Sequence, residues 1–232
     1  MRIIRNFFRK IKYKIQFLGK KKNSHFYISN LKSENFLTNL MNKYGSDKGG
    51  LNNHHNYSFY YTEIFCLKRK QIKNFLEIGL GTNNVNVPSN MGAEGKPLAS
   101  LKAWREYFPN AKIFGADIDK NILKNEDRIY TCFVDQRDPE TISKMFQEFG
   151  VKKFDVIIED GLHEFNANVS FFENAIEYLA NDGIYIIEDI FYKDIKKFEK
   201  YLETKNYQYS IIELYHPENI SNNCLIKITK NG

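Results

Sequence analysis

Short apolar runs alternate with amphipathic stretches along the chain from residue 74 onward. Runs rich in β-branched and aromatic residues predict strands at 74–81, 112–117, 128–135, 154–160 and 183–190. The amphipathic stretches between and after them predict helices at 100–108, 139–149, 166–179 and 191–204. Strict alternation at 208–215 and 224–230 predicts a closing antiparallel hairpin. Repeated βα units of this kind indicate an α/β fold with a mostly parallel sheet.

The first 43 residues precede this pattern and predict a helical appendage to one domain over residues 44–232. Within residues 1–22 the apolar positions keep helical spacing and Arg and Lys lie between them, which predicts a basic amphipathic helix. Such a helix either attaches to an anionic membrane surface or a partner, or packs on its own domain or on a second subunit. The residues leave these alternatives open. A second helix is predicted from Ser33 to Lys43, with Ser33 as its cap.

Composition and charge narrow the class of protein. The 42% hydrophobic and 27% charged fractions are those of a globular protein, and no apolar run approaches the ~20 residues of a membrane span. Nine of the 34 basic residues lie within residues 1–22, so 25 remain against 28 acidic residues. We therefore expect a soluble protein whose catalytic face has no nucleic-acid partner.

The three cysteines Cys66, Cys132 and Cys224 are odd in number and lack CxxC spacing. They indicate neither a disulfide framework nor a zinc site. A cytoplasmic location is expected, at the inner face of the membrane if the first helix binds lipid.

Two of the predicted strands end abruptly in acidic residues. The run FDVIIEDGLH ends in Asp160 with His163 close behind, and the run GIYIIEDI ends in Glu188 and Asp189. In open α/β sheets ligands bind outside the carboxyl ends of the strands, so these four side chains are expected to meet at a reaction centre. The alternative is that strand-end acids cap helices or stay solvated, and that His163 bonds to backbone.

The first predicted strand ends in the turn that carries Glu77, Gly79 and Gly81. The glycines let the backbone approach a ligand closely, and Glu77 is expected in the same corner. The third glycine of the dinucleotide fingerprint is missing, which disfavours an NAD enzyme. The long loop from Thr82 to Pro97 is either a substrate lid or an insertion without catalytic importance.

Two further strand ends supply candidate cofactor contacts. Asp117 ends the second strand, where such sheets place the acid that binds a ribose diol. Asp135 and Gln136 end the third strand, in a position to contact an adenine edge.

A loop is predicted from Tyr44 through Phe65, ahead of the first core strand. It is rich in Gly, His and Tyr, and contains Ser46, Lys48, His55 and Tyr57. Polar and aromatic groups at this density are typical of a cap over a ligand, with His55 and Tyr57 as candidate substrate or cap residues. An ordinary surface loop is the alternative.

Taken together, these motifs resemble a class I S-adenosylmethionine-dependent methyltransferase, and in particular the metal-dependent sugar O-methyltransferases of the macrocin and mycinamicin type. The resemblance depends on YGSDKG from Tyr44, LEIGLG, SLKAWREYFPNAKIFGADID, Asp135-Gln136, DGLH and the later IED. It implies a Rossmann-like, mostly parallel seven-stranded sheet with a C-terminal antiparallel hairpin and helices on both faces.

The resemblance also implies roles for the site residues. It implies that Asp160, Glu188 and Asp189 hold Mg²⁺ and that His163 is the general base. The cofactor S-adenosylmethionine would contact the residues of the remaining motifs, which are Ser46, Lys48, Glu77, Gly79, Gly81, Asp117, Asp135 and Gln136.

The implied activity is methyl transfer to a sugar hydroxyl of a glycan precursor, such as a capsular or nucleotide-linked sugar, or of a glycosylated metabolite. A sugar hydroxyl is a weak nucleophile at neutral pH, so metal polarisation and proton removal fit this chemistry. Two alternatives remain at this stage: an NAD-dependent oxidoreductase, and a catalytically silent binding protein attached through its basic helix. Homo-oligomer formation is open.

Overall fold

The computed structural model describes residues 23–27, 35–51, 54–216, 219 and 222–231. In this part of the chain eight strands form one sheet in the order β1-β7-β8-β6-β5-β2-β3-β4. The strands are β1 (Ser24–Tyr27), β2 (Asn74–Ile78), β3 (Lys112–Asp117), β4 (Ile129–Phe133), β5 (Phe154–Glu159), β6 (Leu179–Ile187), β7 (Tyr207–Leu214) and β8 (Cys224–Lys230). Strands β2 to β6 are parallel, and β8 is antiparallel to both β6 and β7.

The predicted fold is confirmed, because all seven predicted strands are present with the antiparallel hairpin at the C-terminal end. Strand β1 is an addition that the hydrophobic pattern did not predict. It pairs in parallel with β7 at the edge of the sheet. Four residues in a polar segment are too few to show a strand periodicity.

Six α-helices lie in the described residues: α1 (Phe36–Tyr44), α2 (Tyr57–Phe65), α3 (Ala99–Tyr107), α4 (Pro139–Phe149), α5 (Phe165–Ala175) and α6 (Ile195–Leu202). They cover both faces of the sheet, as predicted. Leu37, Tyr61 and Trp104 of α1 to α3 belong to one buried core, while Phe146 and Phe171 of α4 and α5 belong to the other. None of the helices in the described ranges is long and apolar enough to cross a membrane.

Helix α2 corrects the prediction of a loop through Phe65. Tyr57, Tyr61 and Phe65 are spaced four residues apart, so they share one helix face, and each is fully buried. The rings of Tyr61 and Phe65 pack on Trp104 with centroid distances of 5.5 and 6.3 Å. Burial of this aromatic stripe stabilises the helix. The Gly, Asn and His residues that precede it are typical of loops, which is why the sequence pattern predicted a loop.

Some helix boundaries differ from the predictions, because another residue caps the helix or because a strand begins within the predicted range. Helix α1 begins at Phe36, because Asn35 is its N-cap. The Asn35 side chain accepts a hydrogen bond from Thr38 N (2.8 Å), and the Asn35 backbone is extended instead of helical. Ser33, the predicted cap, and the predicted helix in residues 1–22 lie outside the described residues. Helix α5 ends at Ala175 and is followed by a short 3₁₀ turn (Ile176–Tyr178), since Leu179 begins β6. Helix α6 begins at Ile195 instead of Phe191.

The position of the site follows from the strand order. Strand β2 lies between β3 and β5, so the connections that leave β2 and β5 diverge and open a crevice above their carboxyl ends. The backbone pairing continues one residue beyond the strands, with Gly79 N donating to Ala116 O and Asp160 N donating to Ile78 O, both at 2.9 Å.

Candidate active site

A cavity of about 640 Å³ lies above the carboxyl ends of β2, β3, β4 and β5. Gly79 and Gly81 form its floor with φ angles of 81° and 77°, a conformation that favours glycine. A Cβ on Gly79 would lie 1.9 Å from the backbone oxygen of Asp160, so only glycine allows the ends of β2 and β5 to approach this closely. Both predicted glycines line the cavity, and their close neighbours are protein atoms: the Asp160 backbone at Gly79 and the Met91 side chain at Gly81.

Asp117 lines the cavity at the end of β3, as predicted. Its Oδ2 accepts from Leu80 N (2.6 Å) and its Oδ1 accepts from Asp119 N (2.8 Å). Burial raises the pKa of Asp117, and these amide hydrogen bonds oppose the rise. The carboxylate also accepts a backbone hydrogen bond from Ile118, and the acceptor capacity that remains suits a ribose hydroxyl. Asp119, which the sequence reasoning missed, accepts from Thr82 Oγ1 (2.5 Å) and fixes the start of the long loop.

Asp135 and Gln136 both line the cavity, but they have different surroundings. Asp135 forms a bidentate pair with Arg137, with Nε–Oδ1 and Nη2–Oδ2 distances of 3.0 and 2.9 Å. The hydrogen bonds from Arg137 lower the pKa of Asp135. The Gln136 amide is bonded at both ends within the protein, to Glu159 and to Leu162 N.

The long loop from Thr82 to Pro97 covers one side of the cavity. Val87, Asn90, Met91 and Lys96 are among its cavity-lining residues. Met91 N donates to Thr82 O (2.8 Å), which closes the loop on itself. The loop therefore lies beside the site, and its role as a substrate lid stays a prediction.

Lys48 lies in the middle of a group of carboxylates and is only 2% exposed. Its Nζ contacts Asp160, lies 2.5 Å from Glu188 Oε2 and 3.5 Å from Glu77 Oε1. Burial alone would lower the pKa of Lys48, but the charges of the three acids hold it well above its usual value. The lysine thus compensates buried negative charge where the loop that follows α1 meets the strand ends.

Ser46 positions this lysine. The Ser46 hydroxyl accepts from Lys48 N at 3.3 Å and so caps a short 3₁₀ helix, Asp47–Gly49. Both residues also line the cavity, and their contact with a cofactor stays a prediction.

Glu77 is fully buried and is not among the residues that line the cavity. It accepts from Trp104 Nε1 at 2.8 Å, and burial raises its pKa to about 7. Its polar contacts are with Ser100 and Trp104 of α3 and with Lys48, so it lies behind the site that it was predicted to line.

Asp160, His163 and Asp189 come together as predicted, each with one potential ligand atom within 4.8 Å of the others. His163 and Asp189 have φ angles of 59° and 55°. This backbone conformation is uncommon for residues other than glycine and is found preferentially at functional sites. The structure does not bring Glu188 into this group, since its carboxylate accepts from Lys48 and from the Tyr61 hydroxyl.

The donor set of this group fits Mg²⁺. Mg²⁺ is bound by one or two protein carboxylates and keeps its remaining positions for water and substrate oxygens. Asp160 and Asp189 supply the carboxylates, on the ends of two adjacent parallel strands. The set is therefore a candidate site for a hard divalent cation with the imidazole of His163 beside it.

His55 and Tyr57, the predicted substrate or cap residues, both contact Asp189. The Tyr57 hydroxyl donates to Asp189 Oδ1 (2.6 Å), and His55 Nε2 lies 3.3 Å from the same oxygen. The His55 ring stacks on Tyr57 with a centroid distance of 4.7 Å. Their contacts occupy Oδ1, whereas Oδ2 faces His163 Nε2 at 3.9 Å. The pair therefore orients one metal-ligand candidate, as outer residues do at metal sites.

A second cavity of about 520 Å³ adjoins the first at His163. Its walls carry Leu162, Phe165 and Phe191, with Lys193 and Lys197 beside them. The His163 side chain thus lies between two cavities, one above the strand ends and one beside α6.

The sequence of the chain is similar to those of several known O-methyltransferases. No protein-family model matches the chain. Over 154 residues, 66% of the chain, it is 34% identical to the 8-demethyl-8-(2-methoxy-alpha-L-rhamnosyl)-tetracenomycin-C 3'-O-methyltransferase of Streptomyces olivaceus. Over 157 residues it is 36% identical to the L-olivosyl-oleandolide 3-O-methyltransferase of Streptomyces antibioticus. The chain covers 36% and 37% of these proteins, so it spans little more than a third of their length.

Solved structures decide the fold. The MycE methyltransferase from the mycinamycin biosynthetic pathway, in complex with Mg and SAH, superposes with a TM-score of 0.65 at 23% identity, over 86% of this chain and 55% of MycE. This chain has the class I methyltransferase fold. A putative caffeoyl-CoA O-methyltransferase from Staphylococcus aureus superposes with a TM-score of 0.54 at 10% identity, over 97% of this chain and all of that one. The predicted resemblance to macrocin- and mycinamicin-type enzymes is confirmed at the level of sequence similarity and fold.

Within this methyltransferase fold, the sequence reasoning missed the buried residues that support the site. Tyr61, Trp104 and Glu159 each bond to a candidate site residue, at Glu188, Glu77 and Gln136 respectively. The only signal in the sequence was the four-residue spacing of the α2 aromatic residues, which reveals a buried face but not its polar contacts.

Proposed function

We propose that the chain carries an S-adenosylmethionine-dependent, Mg²⁺-dependent O-methyltransferase that acts on a sugar hydroxyl of a glycosylated metabolite or of a glycan precursor. The observation that carries this proposal is the convergence of Asp160, His163 and Asp189 in the larger cavity, with His163 also lining the second cavity. One cavity has room for a nucleoside cofactor, and the other gives an acceptor access to His163.

Known similar proteins support the choice of cofactor and acceptor. MycE was solved with Mg and SAH, and also with mycinamycin VI. The curated relatives are named for O-methylation, several of them of rhamnosyl or olivosyl groups. A sugar attached to a larger molecule is therefore the acceptor class that we assign to this chain.

In this proposal S-adenosylmethionine occupies the larger cavity. Gly79 and Gly81 allow it to approach the end of β2, Asp117 accepts hydrogen bonds from the ribose diol, and Asp135 lies at the adenine end. Ser46 and Lys48 lie at the opposite end, near the amino-acid part of the cofactor. The Thr82–Pro97 loop covers the bound molecule, which excludes water from the sulfonium.

The proposed reaction transfers one methyl group with inversion of its carbon. The acceptor oxygen attacks the methyl carbon, the carbon–sulfur bond breaks, and its electron pair stays on sulfur to give S-adenosylhomocysteine. When bound by Asp160 and Asp189, Mg²⁺ lowers the pKa of the acceptor hydroxyl. His163 accepts the hydroxyl proton at Nε2, and Asp189 Oδ2, 3.9 Å away, stabilises the imidazolium that forms.

The test is a transfer assay with labelled S-adenosylmethionine and a panel of deoxysugar glycosides and nucleotide-linked sugars, with Mg²⁺ or with a chelator. We expect label in at least one acceptor class, loss of transfer with chelator, and a loss of about 10² to 10⁴ in rate for His163→Ala. Full activity in chelator, or an unchanged rate for His163→Ala, would contradict the proposed mechanism.

A further inference from the structure

The loop from Gly161 to Glu164 carries His163, and one side chain from a distant strand holds it. Gln136 follows β4, which is separated from β5 by β3 and β2 in the sheet. Its Oε1 accepts a hydrogen bond of 2.6 Å from Leu162 N, the amide next to His163. A Cβ on Gly161 would lie 1.9 Å from the same oxygen, so the glycine is required for the side chain to pass.

The other end of the Gln136 amide is fixed by Glu159. Gln136 Nε2 donates to Glu159 Oε1 at 3.0 Å. Glu159 is fully buried, and it also accepts from Asn168 Nδ2 (2.7 Å) and from the Tyr185 hydroxyl (2.5 Å). With Glu159 as acceptor, Gln136 must direct its NH₂ group at Glu159 and its oxygen at Leu162 N.

In the resulting chain of hydrogen bonds, each bonded group has a fixed role as donor or acceptor. These bonds run from the interior, at Tyr185 of β6 and Asn168 of α5, through Glu159 and Gln136 to the backbone of the loop. His163 has a φ of 59°, a conformation that costs free energy and persists only where the surroundings determine it. The hydrogen bond at Leu162 N holds the Gly161–Leu162 peptide, one residue before this conformation.

We infer that Gln136 and Glu159 are positioning residues that hold His163 against the acceptor, and that this role, not recognition of the cofactor's adenine, is the main role of Gln136. The role in catalysis rests on the proposed function, whereas the role in holding the loop does not. The two bonds use one N–H and one acceptor site of the Gln136 amide, so a ligand could reach only its second N–H or the second acceptor site of its oxygen.

Two pairs of variants separate positioning from cofactor recognition. Gln136→Met keeps the length of the side chain and removes both bonds, and Gln136→Asn is a second variant that keeps polarity but is too short to span both partners. Glu159→Leu removes the acceptor. Glu159→Gln keeps it, since its oxygen still accepts from Gln136 and its NH₂ group faces the Tyr185 hydroxyl, which also accepts.

Three measurements are made on the full chain: hydrogen–deuterium exchange of the segment around Leu162, calorimetric titration with S-adenosylhomocysteine, and methyl transfer. For Gln136→Met, Gln136→Asn and Glu159→Leu we expect exchange around Leu162 to rise about tenfold or more. Turnover should fall by up to about 10²-fold, as for other small misplacements of catalytic groups, with cofactor affinity changed less than about threefold. Glu159→Gln should restore both exchange and turnover. Gln147→Met is the matched control and should resemble the unsubstituted chain, because Gln147 is an exposed amide on α4 whose side chain donates to Ser143 Oγ.

The outcomes distinguish the two roles. A cofactor affinity lowered about tenfold or more by Gln136→Met, with unchanged exchange around Leu162, would make Gln136 a cofactor contact and overturn the inference. Equal loss of turnover in Glu159→Leu and Glu159→Gln would remove Glu159 from the positioning role. If the unsubstituted chain binds no S-adenosylhomocysteine, the proposed function fails, while the exchange measurement still decides whether Gln136 holds the loop.

Discussion

At the scale of single residues, the site is defined by which side of a strand end each acid faces. Glu188 and Asp189 follow β6 directly, and the positive φ of Asp189 shows that the backbone is no longer extended there. Asp189 lines the cavity, whereas Glu188 is fully buried against Lys48 and Tyr61. The sequence shows both acids but cannot show which of them faces the ligand.

This difference predicts unequal effects on metal binding. Asp160→Asn and Asp189→Asn should each lower the Mg²⁺ affinity about tenfold or more in calorimetry, with activity recovered in part at higher Mg²⁺. Glu188→Gln should lower it less and should instead cost about 1 to 3 kcal/mol in the free energy of unfolding, because Lys48 and Tyr61 lose a charged partner. Equal losses of Mg²⁺ affinity in all three variants would make Glu188 a metal ligand, as the sequence predicted.

At the scale of elements, the sequence predicted the strands and their acidic ends because these signals are local. Asp160 and Asp117 follow apolar runs directly, so their place at the carboxyl edge could be read from the chain. Helix α2 was missed although its aromatic spacing is visible in the sequence, since the partner of its buried face, Trp104 of α3, is distant along the chain. The bonds of Gln136 to Glu159 and Leu162 also escaped prediction, because they join residues 23 and 26 positions apart.

The contact between the ends of β2 and β5 gives a prediction at this scale. Gly79→Ala should destabilise the protein more than Gly150→Ala, measured by urea unfolding. Both glycines have positive φ, at 81° and 63°, but only at Gly79 would a Cβ meet backbone, at the Asp160 oxygen. The φ alone costs about 1 to 3 kcal/mol, so Gly150→Ala is the control for that part. Equal destabilisation by the two substitutions would show that the strand ends can separate without cost.

At the scale of the whole molecule, buried acids couple stability to pH. Burial raises the pKa of Glu159 from 4.5 to about 8. Between these pH values the native state keeps a proton that the unfolded chain releases. The free energy of unfolding therefore loses this contribution as pH rises through that window. One fully linked proton corresponds to about 1.4 kcal/mol per pH unit.

Glu159→Gln should therefore flatten the decline in stability between about pH 5 and about pH 8 relative to the unsubstituted chain. The measurement is urea unfolding of chelator-treated protein across this range. Glu140→Gln is the control, because Glu140 is exposed and the hydrogen bond from Lys144 lowers its pKa, so its titration lies below the window. An identical slope with and without Glu159 would show that this carboxyl is ionised in the native state throughout.

The most direct test of the central proposal, that the larger cavity binds S-adenosylmethionine, is calorimetric titration with its product S-adenosylhomocysteine. We expect the unsubstituted chain to bind this ligand and not NAD. Asp117→Ala should weaken binding by about 1.5 to 3 kcal/mol, the range for hydrogen bonds to a charged group. Asp127→Ala, at a side chain that is 86% exposed beside Arg128, should leave the affinity unchanged. Binding of NAD in place of S-adenosylhomocysteine, or equal affinities for Asp117→Ala and the unsubstituted chain, would contradict the proposed cofactor site.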